Sequence, residues 1–129
     1  MKALTLQHFE AWLETYGRAS ADNDPHASAN LFALHARYYE NPFDEPITGR
    51  DAIFEYWNKG AQTLTDKTSS FEILAAQNNC GIARWQSQFT VIATDKRFAL
   101  DCLFVVEFDD DGLCQTFREW WHMREITNS

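Results

Sequence analysis

The sequence predicts an α+β fold, with helices gathered on one face of a curved sheet. Three observations lead there. Apolar residues recur at three- and four-residue steps through most of the first half. Alternation with period two takes over after Asp66. The breaks between the later segments are short and rich in turn residues, as hairpins require. Helices first and strands afterwards give segregated layers rather than alternating βαβ units.

Each element has its own signal. Leu6, Phe9, Leu13, Tyr16 and Ser20 form a helical stripe, with Trp12 beside it. Asp24-Pro25 is an N-cap followed by Pro at the first helical position, and predicts a second helix running through Leu31 and Leu34. A brief strand, Arg37 to Glu40, leads into the loop 41–46, which carries Pro42 and Pro46. Thr48-Gly49-Arg50-Asp51 reads as a variant capping box opening a third helix with Ile53, Phe54, Tyr56, Trp57, Ala61 and Leu64. Four strands follow: Ser69 to Gln77, Gly81 to Ala93, Phe98 to Phe108 and Leu113 to Arg124. Thr94-Asp95-Lys96 and Asp109-Asp110-Asp111-Gly112 supply turns.

Composition narrows the class. Of 129 residues 45% are hydrophobic, with five Trp, four Tyr and ten Phe, which excludes a disordered chain. No repeat or Pro/Gly-rich linker divides residues 1–129, so a single domain is expected. The net charge of −8 opposes binding to nucleic acid and to anionic membrane surfaces. No apolar run approaches the length of a membrane span, and the N-terminus lacks the apolar stretch of a signal peptide. Cys80, Cys102 and Cys114 are odd in number without CxxC spacing; reduced thiols in a cytoplasmic protein are the simplest expectation. His8, His26, His35 and His122 have no zinc spacing, and the calcium-loop-like run from Glu107 ends on Arg118 where a Glu is needed. No P-loop, Rossmann or nucleophile-elbow motif is present. No metal or cofactor is expected.

The order of elements resembles the nuclear transport factor 2-like superfamily, and within it the ketosteroid isomerase and SnoaL-like subgroup. The resemblance rests on Tyr39-Glu40-Asn41-Pro42-Phe43 running on to Thr48-Gly49-Arg50-Asp51-Ala52-Ile53, on Ala99-Leu100-Asp101, and on Phe108 to Gly112 through Arg118-Glu119-Trp120-Trp121. It implies a cone-shaped, curved antiparallel (mixed) sheet, with three N-terminal helices on its concave face around a hydrophobic pocket. It also implies that Tyr16 holds a ligand oxygen. The position that carries the family's proton-moving Asp is Asn41, and that of its second, protonated Asp is Phe104, with Asp101 three residues away in the same strand. An amide is no proton acceptor, so unmodified isomerase chemistry is not expected.

The candidate catalytic residues are therefore Tyr16, Asn41, Asp101 and Glu119. Glu119 shares a face with Phe117 and Trp121, and burial in an apolar cone would raise its pKa into a useful range. The candidate ligand-binding residues are Trp12, Trp57, Trp85, Ser87, Phe89, Phe104 and Trp121. Arg118, Trp120 and His122, extended by Cys114 and Thr116, form an outward stripe, and the superfamily usually dimerises on that face; a homodimer is expected. Two functions fit. One is a dimeric binder of a small hydrophobic molecule. The other is a cofactor-free isomerase, cyclase or hydratase/hydrolase acting on a hydrophobic carbonyl compound, with Glu119 or Asp101 moving the proton.

Overall fold

The computed structural model describes residues 3–126. Three helices precede and interleave with six strands: α1 (Leu6–Ala21), α2 (Pro25–Ala29), β1 (Phe32–Tyr39), β2 (Ile47–Thr48), α3 (Arg50–Thr63), β3 (Leu64–Gln77), β4 (Cys80–Val91), β5 (Lys96–Phe108) and β6 (Cys114–Ile126). The strands form one sheet in the order β2-β1-β6-β5-β4-β3. Only β1 and β6 run parallel; every other pair is antiparallel, so the sheet is mixed, as expected.

The inner face follows the alternation of the long strands. On β5, Cys102, Phe104, Val106 and Phe108 are buried. From α1, Phe9, Trp12, Leu13 and Tyr16 descend on them at helical spacing, and Phe32 and Phe117 complete the cluster. Aromatic edges and faces dominate this core. The Tyr16 ring stacks on Phe117 and meets Trp57, Trp85 and Phe104 edge-on. Leu6, read as part of the apolar stripe, lies instead on the exposed flank of α1.

Several boundaries depart from the sequence expectation: β1 starts at Phe32 rather than Arg37, β3 takes Leu64 from the expected third helix and starts there rather than at Ser69, and β2 is an added strand. The helix α2 ends at Ala29, not Leu34. Phe32, Ala36 and Tyr38 turn inward at strand spacing, and Leu34 faces solvent. Pairing with β6 wins over the helical spacing of Leu31 and Leu34, and a register shift between Phe32 and Arg37 conceals the alternation. The capping box does not form. Gly49 is the N-cap of α3, with φ of 92°, a backbone that disfavours side chains, and Thr48 pairs with Arg37 in β2. The start of α3 is tied down by Arg50, whose Nε and Nη2 both donate to the carbonyl of Phe32 at 2.9 and 2.7 Å. Finally, Cys114 is fully buried rather than outward. A register shift after Glu107 puts it opposite Phe108 and restores the outward stripe only from Thr116 onward.

Candidate active site

A cavity of about 320 Å³ opens between α3 and the inner face of the sheet. The middle of α1 contributes Tyr16. Strand β1 contributes Tyr38, and α3 contributes Tyr56 and Trp57. Trp85, Ser87 and Phe89 come from alternate positions of β4, Leu100 and Phe104 from β5, and Glu119 from β6. Alternation explains why these strand residues share a face: Trp85 pairs with Cys102, Ser87 with Leu100, and Phe104 with Glu119.

Glu119 is the one acidic residue in the lining. Protein groups enclose it, although part of its surface remains open to the cavity. Burial, and then the negative charge of Glu40, push its carboxyl up to about 8, against a smaller lowering by a hydrogen bond with Tyr38. Tyr38 is also hydrogen-bonded to Tyr16, so the three groups form a chain. Both phenols are held far above their ordinary range, first by burial and then by the Glu119 charge. Tyr56 is raised by burial and by the charges of Glu40 and Glu119, and its hydroxyl is hydrogen-bonded to Glu40.

The chain has a direction that depends on Glu119. Tyr38 owns a single proton. When Glu119 is protonated it donates to Tyr38, Tyr38 donates to Tyr16, and the Tyr16 hydroxyl is left to donate elsewhere. When Glu119 is ionised, Tyr38 donates to the carboxylate and Tyr16 must donate to Tyr38. The protonated state therefore presents an unused, polarised donor at Tyr16.

Of the expected site residues, the structure brings together Tyr16, Glu119, Trp57, Trp85, Ser87, Phe89 and Phe104. Four lie elsewhere. Asn41 is exposed, and its Oδ1 accepts from the Phe43 backbone N–H at 2.9 Å, an Asx turn rather than a ligand contact. Asp101 points to the outer face, where Arg84 holds it through two hydrogen bonds of 3.1 and 2.6 Å and keeps its carboxyl below the usual range. Trp12 lies in the core beneath the cavity, its indole donating to the Leu31 carbonyl. Trp121 is half-exposed, its indole donating to the Glu40 carbonyl at 3.2 Å. Tyr38, Tyr56, Lys59 and Lys67 line the cavity without having been picked out from the sequence. Tyr38 was legible in part: it lies two residues after Ala36, at inward strand spacing.

A broader groove of about 540 Å³ includes Gln86, Asp101, His122 and Arg124. Its carboxylate is already satisfied by Arg84, so it offers no free acid. Among the described residues no cluster of three His, Cys, Asp or Glu side chains is placed to hold a metal, and no helix is long and apolar enough to cross a membrane.

The sequence model of the SnoaL-like domain family matches residues 9–116. The chain belongs to the SnoaL-like family. The resemblance to this family is thereby borne out. A steroid Delta-isomerase from Nocardioides simplex is 29% identical over 112 residues, spanning 87% of this chain and 88% of that protein. Among solved structures, the epoxide hydrolase/cyclase-like enzyme SalBIII, described for pyran ring formation in the polyether salinomycin, superposes with a TM-score of 0.81. It covers 93% of this chain and 97% of its own, at 18% identity, so the likeness speaks for the shared fold. A steroid isomerase is thus among the sequence relatives of this SnoaL-like domain, and a cyclase-like enzyme shares its fold.

Proposed function

We propose that this SnoaL-like domain is a cofactor-free acid–base enzyme acting on a small hydrophobic carbonyl compound, and that the reading of a passive binder is the weaker one. The observation that carries this is the Glu119 carboxyl, enclosed in an aromatic cavity, raised to about 8 and hydrogen-bonded in series to two buried tyrosines. A cavity built only to bind an apolar ligand gains nothing from a carboxyl that must stay protonated to be tolerated. Strongly perturbed groups in a cleft are where acid–base chemistry is found.

In the proposed mechanism the ligand oxygen sits against Tyr16. The chain from protonated Glu119 through Tyr38 strengthens the Tyr16 donor and stabilises the negative charge that develops on that oxygen. Glu40 lies outside the lining but is hydrogen-bonded to the hydroxyl of cavity-lining Tyr56, so in this reading the carbon proton passes to the Tyr56 oxygen as the Tyr56 proton passes to Glu40, and returns by the same route. Trp57, Trp85, Phe89 and Phe104 form the walls that exclude water. The pair divides the labour: one carboxyl donates towards Tyr16, and the other receives from Tyr56.

The test does not need the natural substrate. Exchange of α-protons for deuterium in 2-decalone and in a saturated 3-ketosteroid, followed by NMR in D2O, reports enolisation directly. Saturable exchange is expected. Glu119→Gln, whose amide can donate to Tyr38 but has no proton to lose, should keep the exchange and remove its decline above pH 8. No exchange above buffer, or a pH profile untouched by Glu119→Gln, would leave the binder as the better reading.

A further inference from the structure

The cavity has a second end, and its chemistry is the opposite of the Glu119 end. Phe104, which pairs with Glu119, lies six residues along β5 from Phe98, which pairs with Phe89. At the rise of a strand that is roughly 20 Å. Lys67 belongs to the Phe89 end, since its β3 neighbours Thr65 and Thr68 pair with Thr90 and Gln88. The last turns of α3 bring Lys59 and Thr63 to the same end.

This end holds two lysines and no carboxylate. Lys67 is half-buried, and burial without a compensating charge lowers its pKa. No carboxylate pairs with Lys59 or Lys67 among the described residues, the adjacent Asp66 included. The buried indole nitrogen of Trp57, another lining residue, also lacks an acceptor. Lysine stems often cover apolar rims with the ammonium in water. That habit explains neither the unpaired Trp57 N–H nor why a chain with 19 acidic and 11 basic residues puts two lysines and no ionised acid at one cavity end. An unpartnered buried donor is costly until a ligand supplies the acceptor.

We propose that the ligand of this cavity is two-ended, with a hydrophobic body and a carboxylate held by Lys67 at the Phe89 end, assisted by Lys59. The opposite end of that ligand carries the oxygen that faces Tyr16, a placement that rests on the acid–base reading above. The lysines are specificity-determining residues: they accept a hydrophobic acid and discriminate against its neutral counterpart.

The test compares 4-(2-naphthyl)butyrate with its methyl ester, by quenching of Trp emission and by calorimetry. The acid should bind about tenfold more tightly than the ester. Lys67→Gln combined with Lys59→Gln should remove that preference and leave the affinity of the ester unchanged, which also shows that the cavity is intact. Added salt should weaken the acid and spare the ester. Equal affinity of acid and ester, a preference that survives the double substitution, or binding of neither probe would each overturn the proposal. The ketone-exchange assay keeps the two readings separate. Exchange that depends on Glu119 without any preference for the acid would remove only the anionic end. A preference for the acid without exchange would remove only the catalytic role of Glu119.

Discussion

Glu119 is the residue on which chemistry and stability meet. Its folded-state pKa of about 8 lies above the ordinary 4.5 of a Glu. The folded protein therefore binds a proton more tightly than the unfolded chain does. The stability linked to it is full below about pH 4.5 and is lost as pH rises through about 8. Glu119→Gln, which keeps the shape and removes the charge, should flatten the fall in melting temperature between pH 5 and 8 and make the variant the more stable protein above pH 8. At about 1.4 kcal/mol per pKa unit the difference is at most several kcal/mol. Catalysis should follow the same proton. Because only protonated Glu119 frees the Tyr16 hydroxyl, ketone exchange should decline above pH 8, and Tyr16→Phe should abolish most of it at any pH. A rate that instead rises through pH 8 would make Glu119 the base and overturn the assigned direction of the chain. Glu119 was readable in the sequence because it falls on the inward face of a long, regular strand, and Tyr16 because the helical stripe carries it and the family resemblance marks its position. Tyr38 and Tyr56 were not singled out. The register shift in β1 conceals the face of Tyr38, and Tyr56 takes its meaning from Glu40, a contact made through the fold.

At the scale of elements, the long strands were legible and the short pieces were not. A thirteen-residue strand such as β5 repeats its alternation often enough to fix both its existence and its face. The five residues of α2 and the two of β2 carry too little pattern, and tertiary pairing decides their ends. The packing of α1 on the sheet turns on a feature of the same kind. A Cβ at Gly81 would stand 2.5 Å from the ring of Phe9, and Phe9 is fully buried and cannot swing away. Gly81→Ala should therefore lower stability by about 1–3 kcal/mol, as overpacking of a close-packed core does. Urea unfolding would measure it, and a variant as stable as the parent would show that α1 can lift without loss. The start of the same helix depends on Thr5, whose hydroxyl accepts from the His8 N–H at 3.0 Å. Thr5→Ala should lose about 1 kcal/mol while leaving the cavity unaltered.

At the scale of the whole molecule, the outer face of the sheet is the surface still to be explained. We propose that it forms a two-fold dimer. Leu103 and Trp120 pair across β5 and β6 on this face and are 38% and 45% exposed. Around them lie charges already satisfied within the protomer: Arg84 with Asp101, and Arg118 with Glu107. An apolar centre with a ring of pre-paired charges is the composition of an interface, with Trp and Arg prominent in it. A two-fold axis through Trp120 would set that centre against its own copy. A stable dimer needs about 800 Å² from each partner, roughly a tenth of the 7846 Å² surface of this protomer, and the outer faces of two long strands can supply it. Sedimentation across a dilution series should give twice the chain mass at micromolar concentration. Leu103→Glu should shift it to the chain mass without loss of secondary structure, because it puts like charges face to face at the axis. The consequence reaches the site, since Trp120 and Glu119 are neighbours on β6 and point to opposite faces. Clamping the outer face holds the strand that aims Glu119 at Tyr38, so the monomeric variant should exchange ketone protons more slowly at equal stability. A chain-mass species at micromolar concentration, unchanged by Leu103→Glu and fully active, would show that this face is simply wet.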